Sequence, residues 1–317
     1  MITINYLSHT RPNYSDLTFH YLRKIKKQNK GKIILNILAS VYSDWDVKSL
    51  DLGIETNIHV ITGGNNYNQK LNIAVQSDTP YSIKLDEDCF INNHILDYMI
   101  ENVHQLDDPE NLLMSPIMTN NIPSCDLFIS NAIKDDVIRN EIYEYFLNRP
   151  MPNGLWGVNY VGLNEYTIDA DNWDYTAFYK GVNKMDTQTK GIHPLRISAE
   201  AQLKINDYVL NNIDIINKEH KYNLIEFDAP YFTNSLFMIK TDVWRTIVAN
   251  KVDAYDEISL NNYKRDNNKK ILFINNGFGL HLMYNTIYGN QNKWGIGVAN
   301  GEELEKEFYN NIKNIIL

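Results

Sequence analysis

YSIKLDEDCF, residues 81–90, is the stretch that decides the fold. YSIKL reads as a strand, and it runs straight into Asp86, Glu87 and Asp88. Acidic residues at the carboxyl end of a strand stand where open α/β sheets place their ligands. Carboxylates there are hard oxygen ligands for Mg²⁺ or Mn²⁺, and either ion can hold a diphosphate. Alternation along an extended segment points Asp86 and Asp88 one way and Glu87 the other. An acidic surface turn is the plainer reading of the triplet taken alone. The context favours a site: a strand precedes it, and Asn92 or Asn93 stands ready to cap a helix whose face carries Ile95, Leu96, Met99, Ile100 and Val103.

Working towards the N-terminus, strand-like and helix-like segments alternate. Ile2, Ile4 and Tyr6 alternate with polar residues in a first strand that leads into SHTRPNY. Ser15 is placed to cap a helix bearing Leu17, Tyr21, Leu22 and Ile25, which ends near Lys30-Gly31. KIILNIL (32–38) is a nearly continuous apolar run, as in a strand buried on both faces. NIHVI (57–61) follows, then a Gly63-Gly64 turn and a helix over 67–77. LLMSPIM (112–118) closes this series. Such alternation predicts an α/β fold, a mainly parallel sheet with helices on both sides.

Beyond residue 120 the pattern loosens. Helices are predicted over 133–147 and 198–213, separated by a long aromatic and amide-rich stretch. A loop of that length in a compact domain points to function. Regularity returns with the strand SLFMIK (235–240), a helix from Thr241 to about Ala249, the helical DEISLNNYKRD and the strand KILFIN (270–275). A loop, GFGLHLMYNT, and a closing helix marked by Leu304, Phe308, Ile312 and Ile315 complete the chain. The organisation predicted is an N-terminal half over 1–120, an inserted segment over 121–230 and a closing half over 231–317, all one domain.

Composition narrows the function. The 317 residues are 44% hydrophobic and include 21 Tyr, 11 Phe and 5 Trp, which excludes a disordered chain. A net charge of −9 argues against nucleic-acid binding, which requires a basic surface. No apolar run approaches the roughly 20 residues that span a bilayer, and MITINYLSHTRP lacks the layout of a signal peptide. Two cysteines make neither a disulfide scaffold nor a zinc site. The expectation is a cytoplasmic globular protein.

NQKLNIAVQSDTPYSIKLDEDCFI resembles the segment of GT-A fold glycosyltransferases in which a helix with a basic residue and an Asn leads into the strand and DxD motif. Lys70 and Asn72 match that helix, with Leu71 where many members carry a basic residue. Downstream, FTNSLFMIKTDVW is similar to the acceptor-side strand and helix of that family, and DEISLNNYKRDNNKKILFIN to its acidic-pair helix and late strand. The resemblance covers most of 1–120 and 230–290, in order, and nothing of 120–230. It implies a metal-dependent transferase of the GT-A fold. His281, after the late strand, would complete a metal shell begun by Asp86 and Asp88. Asp256 and Glu257 match the acidic pair that supplies a general base in inverting members. Asp44 matches the position that recognises the base or ribose.

Further candidates come from the residues themselves. Thr10 and Arg11 follow the first strand at the ligand edge, with Arg11 suited to a diphosphate. Asp86 and Glu87 are candidate donor contacts as well. Trp156 and Trp173, with Tyr160 and Tyr175, offer faces on which a pyranose can stack, although core packing is the commoner fate of such residues. The expected function is sugar transfer from a UDP- or GDP-sugar to an acceptor hydroxyl, with Mn²⁺ or Mg²⁺. A nucleotidyltransferase would carry a Gly-rich, Arg-containing signature after the first strand, which SHTRPNY lacks. A non-catalytic carbohydrate-binding protein would account for the aromatic stretch but not for the acidic triplet.

Overall fold

The computed structural model of the chain describes residues 1–8, 14–40, 51–62, 66–87, 89–118, 124–144, 199–214, 218, 221–227, 232, 234–252, 256–281 and 301–317. Among the described residues nine strands form one mixed sheet: β1 (Ile2–Ser8), β2 (Ile33–Ala39), β3 (Glu55–Val60), β4 (Tyr81–Asp86), β5 (Cys89–Ile91), β6 (Asn111–Met118), β7 (Asn223–Phe227), β8 (Leu236–Lys240) and β9 (Lys270–His281). Their order is β3-β2-β1-β4-β8-β6-β9-β5, with β7 paired to β9 off that path. β3, β2, β1 and β4 run parallel, while β8 is antiparallel to both β4 and β6, and β7 to β9. The fold is therefore α/β, as the strand–helix alternation predicts, with the parallel half built from the first 86 residues.

Apolar runs explain the order. Every residue of β1 and nearly every residue of β2 is buried, so these strands lie inside the sheet. β3 alternates between exposed and half-buried positions and takes the edge. Between the parallel strands run α1 (Ser15–Lys24), the short α2 (Lys27–Lys30) and α3 (Asn66–Ala74). α4 (Ile95–Glu101) and a 3₁₀ turn (Val103–Asp107) lead into β6, and α8 (Thr241–Ala249) and α9 (Glu257–Asp266) lie between β8 and β9. The remaining helices are α5 (Ser124–Ala132), α6 (Asp136–Glu144), α7 (Ala199–Asn211) and α10 (Gly301–Ile316).

The chain forms two compact units. The first comprises Met1–Pro116, Lys218–Asp228 and Asn234–Gly279; the second comprises Ile117–Asn217, Ala229–Thr233 and Leu280–Leu317. In the second, α7 packs against α6 and α10. Ile142, Ile205, Val209 and Ile312 are buried there, and Lys204 meets Glu141 at 2.5 Å.

Several local expectations are corrected. Tyr14 occupies the N-cap position of α1, and Ser15 is its first residue, with its hydroxyl 2.7 Å from the Tyr6 hydroxyl instead of on the helix end. Neither Asn92 nor Asn93 occupies the cap position of α4. His94 does, in the left-handed region at φ 63°, without a side-chain cap. Asn92 instead clips strands together: its side-chain oxygen accepts from the Phe278 amide, and its backbone N–H donates to the Phe278 carbonyl at 3.2 Å. Val103 leaves the helix for the 3₁₀ turn. The GFGLH segment is not a loop but the second half of β9. A Cβ at Gly277 would lie 2.7 Å from methyl groups of Ile274 and Ile95, so the glycine allows close packing within a strand.

Asp97 ties the start of α2 to α4. Its buried carboxylate accepts from the Lys26 amide at 3.0 Å and the Asn29 side-chain amide at 2.7 Å, and it faces His94 Nδ1 at 2.9 Å. Removing the carboxylate leaves buried donors unpaired. Asp97→Ala should lower unfolding free energy by about 2–4 kcal/mol in urea titrations, with Asp97→Asn losing less. A loss within about 0.5 kcal/mol, the range of ordinary surface substitutions, would show that the tie carries no weight.

Candidate functional site

The parallel register levels three strand ends. Ser8 pairs with Ala39 across β1 and β2, and Leu7 with Asp86 across β1 and β4. The carboxyl ends of β1, β2 and β4 thus make one edge, the location at which open α/β sheets bind ligands. Four ionisable side chains gather there: Lys70 from α3, Lys84 and Asp86 from β4, and Glu87 directly after it.

Lys70 enters from below the edge. Tyr67, Lys70, Leu71 and Ala74 recur at helical spacing on the inner face of α3, and the last three are buried. The Lys70 ammonium donates to the Ser8 carbonyl at 2.7 Å and to the Ser40 hydroxyl at 2.5 Å. The Ser8 hydroxyl in turn donates to Glu87 at 3.2 Å. Burial pulls the ammonium down to about 8, against the opposing pull of the Glu87 and Asp86 charges. The cation is held close to the point at which it would give up its proton.

Lys84 lies in mid-strand with 0% of its surface exposed. Period-two alternation puts it on the same face of β4 as Asp86. Its ammonium donates to Asp86 Oδ1 at 2.6 Å and to the Asn234 carbonyl, and lies 5.7 Å from the centre of the Tyr67 ring. The Asn234 side-chain amide donates to Asp256 Oδ1, and Trp244 Nε1 donates to Asp256 Oδ2 at 2.8 Å. Burial raises the Asp256 carboxyl above the usual carboxylate range, with the Lys84 charge and the Trp244 hydrogen bond opposing. The Asp86 amide donates to the Ser235 carbonyl at 3.0 Å, which extends the β4–β8 pairing to the acid itself.

The structure brings Lys70, Asp86 and Glu87 to one edge. It does not bring Asn72 there: two helical positions turn a side chain by about 200°, and Asn72 is exposed on the side of α3 away from Lys70. Glu87 is buried against Ser8. Asp256 is wholly buried among Asn234, Trp244 and the field of Lys84, and Glu257 is half-buried in the first turn of α9. Thr10, Arg11, Asp44, Asp88, Trp156 and Trp173 lie outside the described residues, as does the side chain of His281, whose backbone ends β9. Sequence reasoning missed Lys84, Asn234, Ser8 and Ser40. A signal existed for Lys84, a cation inside an apolar run two residues before an acid.

No three carboxylate, imidazole or thiolate side chains cluster to hold a metal ion among the described residues. Asp86 supplies one hard oxygen donor at the edge, and Asp88 and the His281 imidazole are outside the described set. No helix among the described residues is long and apolar enough to cross a membrane.

No protein family of known definition matches the sequence, and no curated protein matches it. Among solved structures, S. aureus TarS aligns over 66% of this chain and 33% of its own, at 13% identity and a TM-score of 0.30. Residues 1–349 of S. aureus TarS in complex with UDP align over 66% of this chain and 55% of their own, at 13% identity and a TM-score of 0.31. Mouse xyloside xylosyltransferase 1 in its apo form aligns over 98% of this chain and 80% of its own, at 9% identity and 0.27. The chain thus spans a third of TarS and about half of its 1–349 portion. Likenesses this distant do not bear on function.

Proposed function

We propose that the protein is a glycosyltransferase that moves a sugar from a nucleoside-diphosphate donor, a UDP- or GDP-sugar, to an acceptor hydroxyl. The observation that carries this reading is the edge itself: Asp86 and Glu87 beside the buried Lys70 ammonium, at the level carboxyl ends of β1, β2 and β4. An edge of this charge pattern suits a diphosphate bridged by a divalent cation, because carboxylates alone would repel it. Mn²⁺ or Mg²⁺, held by Asp86, Asp88 and His281, would neutralise charge on the departing diphosphate.

The chain's own residues do the rest. Lys70 presents a positive charge to the phosphates from the protein side and offsets the negative charge that develops on the leaving group. Thr10 and Arg11 contact the nucleotide, Arg11 at the diphosphate, and Asp44 meets the base or ribose. Trp156 and Trp173 give the acceptor a stacking surface. In an inverting course Glu257 takes the acceptor proton as general base; a retaining course needs no such role.

Two outcomes test this. UDP or GDP should bind measurably by calorimetry with Mn²⁺ present and at least about tenfold more weakly in EDTA, since the triplet then faces the diphosphate without a bridge. Undiminished binding in EDTA removes the metal from the account.

The second outcome is pH dependence. With Lys70 lowered to about 8 by burial, it is charged below that pH and neutral above it. UDP affinity, measured with Mg²⁺, should fall by about tenfold between pH 7 and pH 9, and Lys70→Met should abolish that dependence. For stability the sign is opposite: the unfolded lysine holds its proton up to 10.5, so stability rises with pH between about 8 and 10.5. An unchanged pH profile in Lys70→Met would exclude the lysine from the phosphate site.

A further inference from the structure

Among the described residues Asp256 and Lys84, like Lys70, are entirely buried, so their charges are closed off from bulk water. An unbroken set of hydrogen bonds runs from the inside of the fold to the ligand edge: Trp244 to Asp256, Asn234 to Asp256, Lys84 to the Asn234 carbonyl, and Lys84 to Asp86. Apart from Asp86, which shares β4 with Lys84, the members come from separate places in the chain. Trp244 lies on α8, Asn234 just before β8, Asp256 at the start of α9, and Lys84 on β4.

The charges explain the arrangement. Lys84 has one anion in direct contact and a second reached through Asn234. The inner anion, Asp256, fixes Asn234, and with it the carbonyl that receives the ammonium. The outer anion, Asp86, has 20% of its side chain exposed and is the member that reaches the edge. A carboxylate that is left to rotate at a strand end presents many geometries; one held by a buried ammonium presents few.

We propose that Lys84 and Asp256 are positioning residues for the ligand edge, Asp256 anchoring Lys84 through Asn234 and Lys84 setting the orientation of the Asp86 carboxylate. Asp256 then acts from the interior, and not on the acceptor. This inference rests on the glycosyltransferase reading only for the ligand that Asp86 meets; the coupling between the two buried charges does not depend on it.

The test uses four full-length proteins: wild type, Lys84→Met, Asp256→Asn and the double variant. Melting temperature and UDP affinity with Mn²⁺ are measured for each. Lys84→Met leaves Asp256 buried without its counter-charge and should melt far below wild type. Adding Asp256→Asn removes the stranded anion and should recover most of that loss. Affinity should not recover: the double variant should bind UDP with Mn²⁺ at least about tenfold more weakly than wild type, since the Lys84 ammonium no longer orients the Asp86 carboxylate. A purely structural pair would give binding that follows stability back up, and that result overturns the proposal. Additive losses in melting temperature overturn it too, because the two charges would then be uncoupled. If wild type binds neither UDP nor GDP, the functional reading fails, and the recovery in melting temperature decides the coupling by itself.

Discussion

A lysine ammonium closed off from water in the middle of a β-strand must find every partner within the protein, and this requirement organises the sheet around Lys84. Its contacts fix which strand neighbours β4 and where. The Asn234 carbonyl comes from the turn into β8, so the antiparallel pairing of β8 on β4 is what brings that oxygen to the ammonium. The Tyr67 ring comes from α3, so the same cation also meets the helix that delivers Lys70. Loss of the Asn234 acceptor would leave the buried charge short of a hydrogen bond, a cost of about 1.5–3 kcal/mol, and loss of the Tyr67 ring about 0.5–2 kcal/mol.

The parallel half supplies the other constraint. Because β1, β2 and β4 share one direction and end at one level, their last residues face the same space. Between β3 and β4 the chain returns through α3, with Lys70 turned inward. Two ammonium groups therefore lie beneath two carboxylates. Among the described residues the edge holds two cations and two anions, and of the four only Asp86 is partly exposed. That polarity suits a ligand approached through a bridging cation.

Much of the fold was legible in the sequence, for reasons that can be named. β2 is a nearly continuous apolar run, β1 alternates apolar with polar residues, β4 runs straight into the acidic residues, and α8 follows β8 without a linker. β5 has three residues, too few to show a period, and β7 lies in a polar stretch; both pair with the longer β9. The continuation of β9 through Gly277 was hidden because glycine reads as a loop until Ile95 and Ile274 are seen to close on it. Asn92 reads as a helix cap because the residue type suits one; its tertiary partner, Phe278, lies far along the chain. At the site, the acidic triplet announces the edge. The buried cation beneath it does not announce itself, because a lysine in a sequence carries no mark of where its ammonium ends.

The central claim is that the β4 edge works on a nucleotide-sugar donor. Nucleotide release from a panel of UDP- and GDP-sugars, with Mn²⁺ and by wild type and Asp86→Asn side by side, tests it most directly. The account predicts release of UDP or GDP from at least one donor by wild type, and its loss by about 100-fold or more in an Asp86→Asn protein that still melts cooperatively. Release at the wild-type rate by a folded Asp86→Asn would contradict the account.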